Sequence, residues 1–277
     1  MKRERGLMAI LGRVLHYGAA ILIALFILGP IIVIGYLAFA PEDTVYLFPK
    51  PLAPSDFAFS METMRTFVTA TGTLSALWTS IRVAVVALII SLVLGAPAGY
   101  ALARYPFRGR DAFRLGIVAT RAFPVVILAV PLITTYLRWG LDDTVIGVAL
   151  LHTAMALPTT ILVTSSVFIG VSEELEEAAM TLGCSRLEGF RRVVLPLALP
   201  GLAASSIFTF VLSWNEVFGA AVLTLQEPTL PALVVVQLNQ SPIPIRFAGG
   251  FFLLAPALIF MLFVRRYLFN LWGVRLK

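Results

Sequence analysis

The sequence predicts an all-α membrane protein with six transmembrane helices. Its mean hydropathy is +0.94 over 277 residues, and 59% of the residues are hydrophobic while only 13% are charged. The apolar residues are grouped in blocks near the length of about 20 residues that a helix needs to cross a bilayer core. These blocks lack the alternation of apolar and polar residues that is typical of membrane β-strands, which favours helices.

Six blocks approach the required length, although the last is short. The predicted spans lie at about residues 17–40, 83–103, 115–137, 145–168, 197–225 and 247–264. We therefore expect residues 1–277 to form a single membrane domain without a separate soluble domain. Several prolines fall inside the spans, and we expect Pro124, Pro131, Pro158 and Pro256 to permit kinks.

The first span begins after a basic segment that contains Lys2, Arg3 and Arg5. A cleaved secretory signal is one interpretation, because residues 38–40 resemble a small-residue cleavage site. The apolar run exceeds 20 residues, however, which is too long for the core of a typical signal peptide. We therefore expect an uncleaved first membrane helix.

The basic residues are distributed unequally between the two sides that six spans define. Fifteen of the 21 Lys and Arg residues fall at the two termini, between spans two and three, or between spans four and five. Cytoplasmic loops keep an excess of basic residues, so both termini are expected in the cytoplasm. This asymmetry explains the net charge of +6, and nucleic-acid binding is not needed to explain it.

The composition argues against several kinds of site. The single cysteine, Cys184, cannot form an internal disulfide, and two histidines are too few for a histidine-based metal site. We expect His152 to hydrogen-bond between helices, with a proton relay as the alternative. No lysine follows a glycine-rich Walker A loop, so we expect this chain to bind no cofactor. If transport uses ATP, another chain must hydrolyse it.

A patch of glutamates lies between the fourth and fifth spans, within residues 172–196. Ser172 is a candidate N-cap, and the carboxylates that follow offset the positive end of a helix dipole. Gly183 is expected to end this helix in a left-handed conformation, and Ser185 and Glu188 have the spacing of a capping box. The prediction is a helix-turn-helix whose first helix carries an apolar stripe of Leu175, Ala178, Ala179 and Leu182.

Three functions are conceivable for this helix pair. A solvated loop does not need an apolar stripe. A DNA-binding helix-turn-helix would have an acidic first helix that repels phosphate, and Gly189 stands where its second helix needs an apolar residue. We favour a short helix pair that docks into a groove on a partner protein.

Residues 177–196 read Glu-Ala-Ala-x3-Gly-x9-Val-Val-Leu-Pro, which resembles the EAA signature of ABC importer permeases. Valine in place of isoleucine at position 193 is the only substitution. Residues 99–104, 121–124, 214–218 and 273–277 resemble the carbohydrate branch of that family, and its maltose-permease-like second subunit in particular. The resemblance covers roughly residues 74–277. Arg121 departs from the family, which more often has an apolar residue there.

This resemblance implies a permease subunit, not an enzyme, that imports a sugar or sugar-like solute across the bacterial inner membrane. It implies three partners: a second permease subunit in a heterodimer, a dimer of ATP-binding subunits that holds ATP and Mg, and a periplasmic or lipid-anchored solute-binding protein. A non-sugar small solute is one alternative. A secondary transporter is another, although it would need inverted repeats or paired intramembrane carboxylates, and neither is evident.

The resemblance also implies which residues couple the permease to its ATPase. They are Glu177, Ala178, Ala179, Gly183, Leu195 and Pro196 in the helix-turn-helix, with a second contact from the tail at Gly273 and Lys277.

Polar residues inside the spans are candidates for the translocation path, because a charge in hydrocarbon is costly. They are Asn215, Glu216 and Arg121. For Asn215 and Glu216 we favour an interhelical hydrogen-bond cluster over solute contact, and Arg121 either snorkels or lines the path. We expect Trp214 to pack against neighbouring helices. Arg82, Arg121 and Arg138 together raise the alternative of an anionic solute.

Overall fold

The computed structural model describes residues 2–48, 58–70, 72–238 and 240–271. Every regular element in these ranges is a helix. The helices in chain order are α1 (Lys2–Ala38), α2 (Glu42–Tyr46), α3 (Glu62–Thr69), α4 (Thr73–Arg104), α5 (Arg110–Thr120), α6 (Val125–Trp139), α7 (Val145–Ile169), α8 (Glu173–Thr181), α9 (Arg186–Gly189), α10 (Leu195–Asn215), α11 (Phe218–Leu223), α12 (Leu230–Leu238) and α13 (Ile243–Leu271).

Five helices of the described chain are long and apolar enough to cross a membrane. They are Gly12–Ala38 within α1, then α4, α7, the helix Arg186–Asn215, and Ile243–Phe263 within α13. A π-helical turn, Phe190–Val194, joins α9 to α10 in the fourth of these. The pair α5 and α6 supplies a sixth span if both helices are counted together. The predicted all-α membrane fold is therefore confirmed, with five or six spans.

The third predicted span, 115–137, is not one straight helix. It is broken between α5 and α6, whose axes differ by 84°. Pro124 precedes α6 with extended backbone angles, φ −67° and ψ 130°. Proline has no N–H to donate and disfavours helical geometry in the residue before it, so a break at this point has a local cause. Pro131, Pro158 and Pro256, in contrast, lie inside helices.

The fifth predicted span, 197–225, also differs from the observed helix. Helix α10 ends at Asn215, and Glu216 is extended, with ψ 122°. The chain then forms the short helix α11. The Glu216 side chain accepts hydrogen bonds from the N–H groups of Gly219 and Ala220 at 2.7 and 2.9 Å, which satisfies two of the free donors at the start of α11.

The chain divides into two compact units. The first comprises Met1–Ala70 and Leu238–Leu254, and within it the Phe39 ring stacks on Phe59 at 5.6 Å and meets Phe251 edge-on at 5.1 Å. The second comprises Thr71–Gln237 and Ala255–Lys277. The prediction that residues 1–277 form one membrane domain stays a prediction.

Helices α4 and α7 make the closest packing in the second unit, and small residues permit it. A Cβ at Gly99 would lie only 2.8 Å from the backbone nitrogen of Ser165 and 2.9 Å from the carbonyl oxygen of Ile161. The Thr164 hydroxyl donates to the Gly95 carbonyl at 3.0 Å. Small residues let membrane helices approach until such contacts form. Helix α10 packs on both helices, and this layer of three helices carries the sites described next.

Candidate coupling helices and buried polar clusters

Helix α8 begins at the predicted position, but its cap differs from the prediction. Ser172 occupies the N-cap position with φ −59° and ψ 133°, yet its side chain makes no capping hydrogen bond. The expected Ser172 cap is therefore absent. Glu173, Glu174 and Glu176 lie in the first turn, where their carboxylates offset the positive end of the helix dipole.

The turn after α8 has the geometry that its sequence predicts. Gly183 has a φ of 95°, a left-handed conformation that glycine adopts without steric cost. The N–H of Gly183 donates to the Met180 carbonyl at 3.0 Å, and the N–H of Cys184 donates to the Ala179 carbonyl at 3.1 Å. These two bonds form a Schellman motif, which satisfies carbonyls at the end of α8.

The second helix of the pair starts at the predicted capping box. The Ser185 hydroxyl accepts from the Glu188 N–H at 3.4 Å, and the Glu188 carboxylate accepts from the Ser185 N–H at 2.9 Å. The chain then continues through the π-helical turn into α10. π-Helical turns inside longer helices are often found at functional sites.

Helix α8 has an inner and an outer face. Glu176 and Ala179 are buried on the inner face, at 7% exposure each. The outer face consists of Glu174, Leu175, Glu177, Ala178, Thr181 and Leu182, all of which are exposed. Leu182 is 87% exposed. Of the predicted apolar stripe, Leu175, Ala178 and Leu182 are exposed, and only Ala179 is buried.

Glu176 takes part in a buried ion pair that the sequence analysis did not identify. Its carboxylate accepts hydrogen bonds from the Tyr100 hydroxyl and from Arg104 Nε, the latter at 3.2 Å. Arg104 also donates from Nη2 to the Val171 carbonyl at 2.7 Å and from Nη1 to Glu173 at 3.4 Å. The side chains of Arg104 and Glu176 are only 8% and 9% exposed. Tyr100 and Arg104 are four residues apart and therefore share one face of α4, which is the sequence signal for this site.

Aromatic rings pack around Tyr100, which hydrogen-bonds to this ion pair. The Tyr100 ring meets Phe168, near the end of α7, at 5.6 Å and Phe190, in the π-helical turn, at 4.5 Å. The predicted coupling residue Leu195 is partly buried against the same cluster. Pro196 is exposed at the start of α10.

A second buried polar cluster joins α7 to the end of α10. His152 is fully buried, with Nδ1 2.8 Å from the Ser213 hydroxyl and Nε2 3.1 Å from the Glu216 carboxylate. Because an ionised carboxylate only accepts, Nε2 donates to Glu216 and Nδ1 accepts from Ser213 in the neutral imidazole. His152 and Glu216 therefore form interhelical hydrogen bonds, which accounts for their polarity inside the span.

The other candidate path residues do not join this cluster. Asn215 is exposed, and its amide donates to the Val211 carbonyl of its own helix at 2.9 Å. Arg121 is exposed in the break between α5 and α6. The guanidinium of Arg82 lies 3.9 Å from the Glu227 carboxylate and donates to Thr79 at 3.3 Å. The tail residues Gly273 and Lys277 lie outside the described residues.

Asp143 organises the opposite end of the three-helix layer, and sequence reasoning missed it. It is the one residue other than glycine with positive φ, 54°, in the described chain. Its carboxylate accepts from the N–H groups of Leu225, Gln226 and Glu227 at 3.0 to 3.1 Å. The Asp143 N–H donates to the Leu223 carbonyl at 2.8 Å. One side chain thus fixes the segment between α11 and α12.

Residues 91–270, more than half of the chain, match the family described as binding-protein-dependent transport system inner membrane component. The chain belongs to this family. The permease is therefore a multi-pass inner-membrane protein and the membrane component of an ABC importer, in which separate subunits hydrolyse ATP. The alternative of a secondary transporter is excluded.

Curated relatives resemble the permease over most of its length. It is 32% identical to the diacetylchitobiose uptake system permease protein DasC of Streptomyces coelicolor. The matched 212 residues cover 75% of the permease and 75% of that protein. It is also 32% identical over 198 residues to the trehalose transport system permease protein SugB of Mycobacterium tuberculosis, covering 69% of the permease and 72% of that protein.

Among solved structures, the fold is similar to that of a bacterial ABC transporter involved in the import of the acidic polysaccharide alginate. The TM-score is 0.73 at 24% identity, over 92% of the permease and 96% of that chain. A second structure of a bacterial alginate transporter, in complex with a pentasaccharide-bound periplasmic protein, gives a TM-score of 0.68 at 16% identity over 99% of the permease and 96% of that chain. At these identities the similarity concerns the fold alone.

Proposed function

We propose that the permease carries a sugar or sugar-like solute into the cytoplasm, driven by ATP hydrolysed on separate subunits. The names of both relatives support a sugar, since they refer to diacetylchitobiose and trehalose. A neutral sugar is favoured over an anionic one. Of the three arginines that raised the anionic alternative, Arg82 is near the carboxylate of Glu227, which balances part of its charge.

One observation carries the assignment of a coupling site. The EAA-like segment forms a helix pair whose outer face is exposed, while its inner face is fastened by a buried ion pair. On the outer face, Leu182 offers apolar area to a groove on a partner. The small side chain of Ala178 lets the partner come close, and Glu177 contributes a charge. The partner of this face is the ATP-binding subunit. Gly183 sets the angle between the two helices, and Leu195 and Pro196 lead the chain into α10.

The proposed assembly contains a second permease subunit, two ATP-binding subunits that hold ATP and Mg, and a periplasmic or lipid-anchored binding protein. Both termini and the helix pair face the cytoplasm, since the basic residues cluster on that side. The tail residues Gly273 and Lys277 contact the ATPase as a second point of attachment. The family resemblance supports these partners.

The test is co-expression of the permease with the three partner proteins, followed by reconstitution into liposomes. We expect the ATPase to co-purify with the permease, and neutral sugars to stimulate ATP hydrolysis when the binding protein is present. If only anionic sugars stimulate ATP hydrolysis, the substrate is an anionic sugar and the proposal of a neutral one is wrong. Failure of any ATPase to co-purify would contradict the proposal itself.

A further inference from the structure

We propose that Arg104 and Glu176 form a rigid link through which movement of α8 is transmitted directly to α4. This inference rests on the proposed function, because it assumes that the ATPase moves α8. Arg104 and Glu176 are positioning residues in this scheme, since neither lies on the exposed outer face of α8.

The guanidinium of Arg104 joins three parts of the chain at one point. It extends from the last residue of α4, donates to the Glu176 carboxylate of α8 at 3.2 Å, and donates to the Val171 carbonyl just after α7 at 2.7 Å. Arginine presents several donors in a fixed plane, so these bonds define an orientation as well as a distance. The Tyr100 hydroxyl adds a further bond to the same carboxylate.

Without this link, α8 would be connected to the membrane helices mainly through its two ends. At one end the chain leaves α7 through Gly170 and Val171, and at the other it turns at Gly183. Backbone connections at such turns permit rotation of a short helix. The ion pair removes that freedom, because a rotation of α8 would have to separate two charges that are largely buried.

Helix α4 is well suited to receive this movement. It packs along its length on α7 and α10, and Gly95 and Gly99 bring it into contact with the backbone of α7. Close-packed helices move as rigid bodies because their cores resist deformation. A displacement of α8 would therefore reach α4 through Arg104, in parallel with the covalent route through α9 into α10.

An alternative is that the ion pair only stabilises the fold. Buried ion pairs are often no more stabilising than apolar residues of similar size, so stability alone is a weak reason for this arrangement. The two roles predict different results. A purely structural role lowers assembly, and it lowers ATP hydrolysis and transport in proportion. A link lowers the amount of solute transported for each ATP hydrolysed.

The experiment uses the complete transporter, reconstituted with its partners, and the variants Arg104→Gln and Glu176→Gln. Tyr100→Phe is a milder variant, since it removes one hydrogen bond and keeps the ring packing. Arg108→Gln is the matched control, because Arg108 is an exposed arginine four residues after Arg104. Assembly, basal ATPase activity, sugar-stimulated ATPase activity and sugar uptake are measured for each variant.

We expect the Gln variants to assemble with the ATPase and to lose about tenfold or more of the uptake per ATP, in line with loss of a charged hydrogen bond. Tyr100→Phe should lose less, and Arg108→Gln should match the wild type. The double variant Arg104→Gln/Glu176→Gln should be no worse than either single variant.

Wild-type uptake per ATP in both Gln variants would overturn the link, as would loss of assembly in all three variants at positions 100, 104 and 176. Absence of ATPase from the wild-type preparation would instead contradict the proposed function.

Discussion

Nε2 of His152, in α7, lies 3.1 Å from the carboxylate of Glu216, the residue that follows α10. The same carboxylate accepts from the N–H groups of Gly219 and Ala220. Three donors thus converge on one buried side chain, and they hold α7, the end of α10 and the start of α11 together. These bonds are made at the point where the fifth predicted span is broken.

Glu216→Gln should destabilise the permease, because the amide nitrogen would face a hydrogen-bond donor in a buried site. The expected loss is about 1–3 kcal/mol, seen as a lower unfolding temperature of the purified protein in detergent. Asn215→Ala is the control, since the Asn215 side chain is exposed and bonds only within its own helix. Equal unfolding temperatures for Glu216→Gln and the wild type would contradict this role.

The proposed docking face predicts that Leu182→Glu weakens association with the ATP-binding subunit. A charge at the centre of an apolar contact typically removes more than about 1.4 kcal/mol, a tenfold loss of affinity. The permease itself should fold normally, because Leu182 is 87% exposed. The measurement is the amount of ATPase that co-purifies with a tagged permease.

Leu225→Glu is the matched control for this experiment, because Leu225 is 89% exposed and lies beyond α11, away from the helix pair. The two variants add the same charge to equally accessible positions. If both variants lower co-purification equally, the effect is not specific to α8 and the docking face is misassigned.

The Gly183 turn predicts a separation between membrane insertion and coupling. Gly183→Pro forces φ from 95° to about −65° and removes the N–H that donates to Met180. The variant should insert into the membrane in wild-type amounts, yet lose sugar-stimulated ATP hydrolysis in the reconstituted transporter.

Gly183→Ala and Gly109→Ala form a matched pair for the same question. Both glycines have positive φ, 95° and 87°, and a Cβ at either position would meet no atom within 4 Å. Each substitution should therefore cost about 1 kcal/mol of backbone strain. Coupling should fall only in the Gly183 variant. A normal sugar-stimulated rate in both Gly183 variants would contradict a role for this turn.

Several elements of the fold could be predicted because their signals are local. Apolar blocks identified α4 and α7 as spans, since a bilayer requires a minimum apolar length. The left-handed Gly183 and the Ser185–Glu188 capping box follow from residue types at fixed spacing. Each of these features depends on residues that are close in the sequence.

The features that escaped prediction depend on contacts between distant residues. The chain is again apolar from Val217 to Leu223, yet α10 ends at Asn215, where the Glu216 carboxylate bonds to α7 and α11. Glu176 resembles its exposed neighbours in sequence, and its burial is decided by Arg104, 72 residues earlier. The bonds from Asp143 reach 82 to 84 residues along the chain. Local patterns cannot contain this information.

The close contact between α4 and α7 predicts that Gly99→Ala is destabilising. The added Cβ would lie 2.8 Å from the Ser165 backbone nitrogen, and backbone atoms cannot turn aside as a flexible side chain can. The helices would have to separate, with an expected loss of about 1–3 kcal/mol.

Gly116→Ala is the control for Gly99→Ala. Gly116 lies in α5, and a Cβ there would meet no atom within 4 Å. Because alanine is the better helix former by about 1 kcal/mol, this variant should be as stable as the wild type or more so. Thermal unfolding of both variants in the same detergent measures the difference. If Gly99→Ala unfolds at the temperature of Gly116→Ala, the two helices can separate without loss, and α4 is not held against α7 as rigidly as transmission through Arg104 requires.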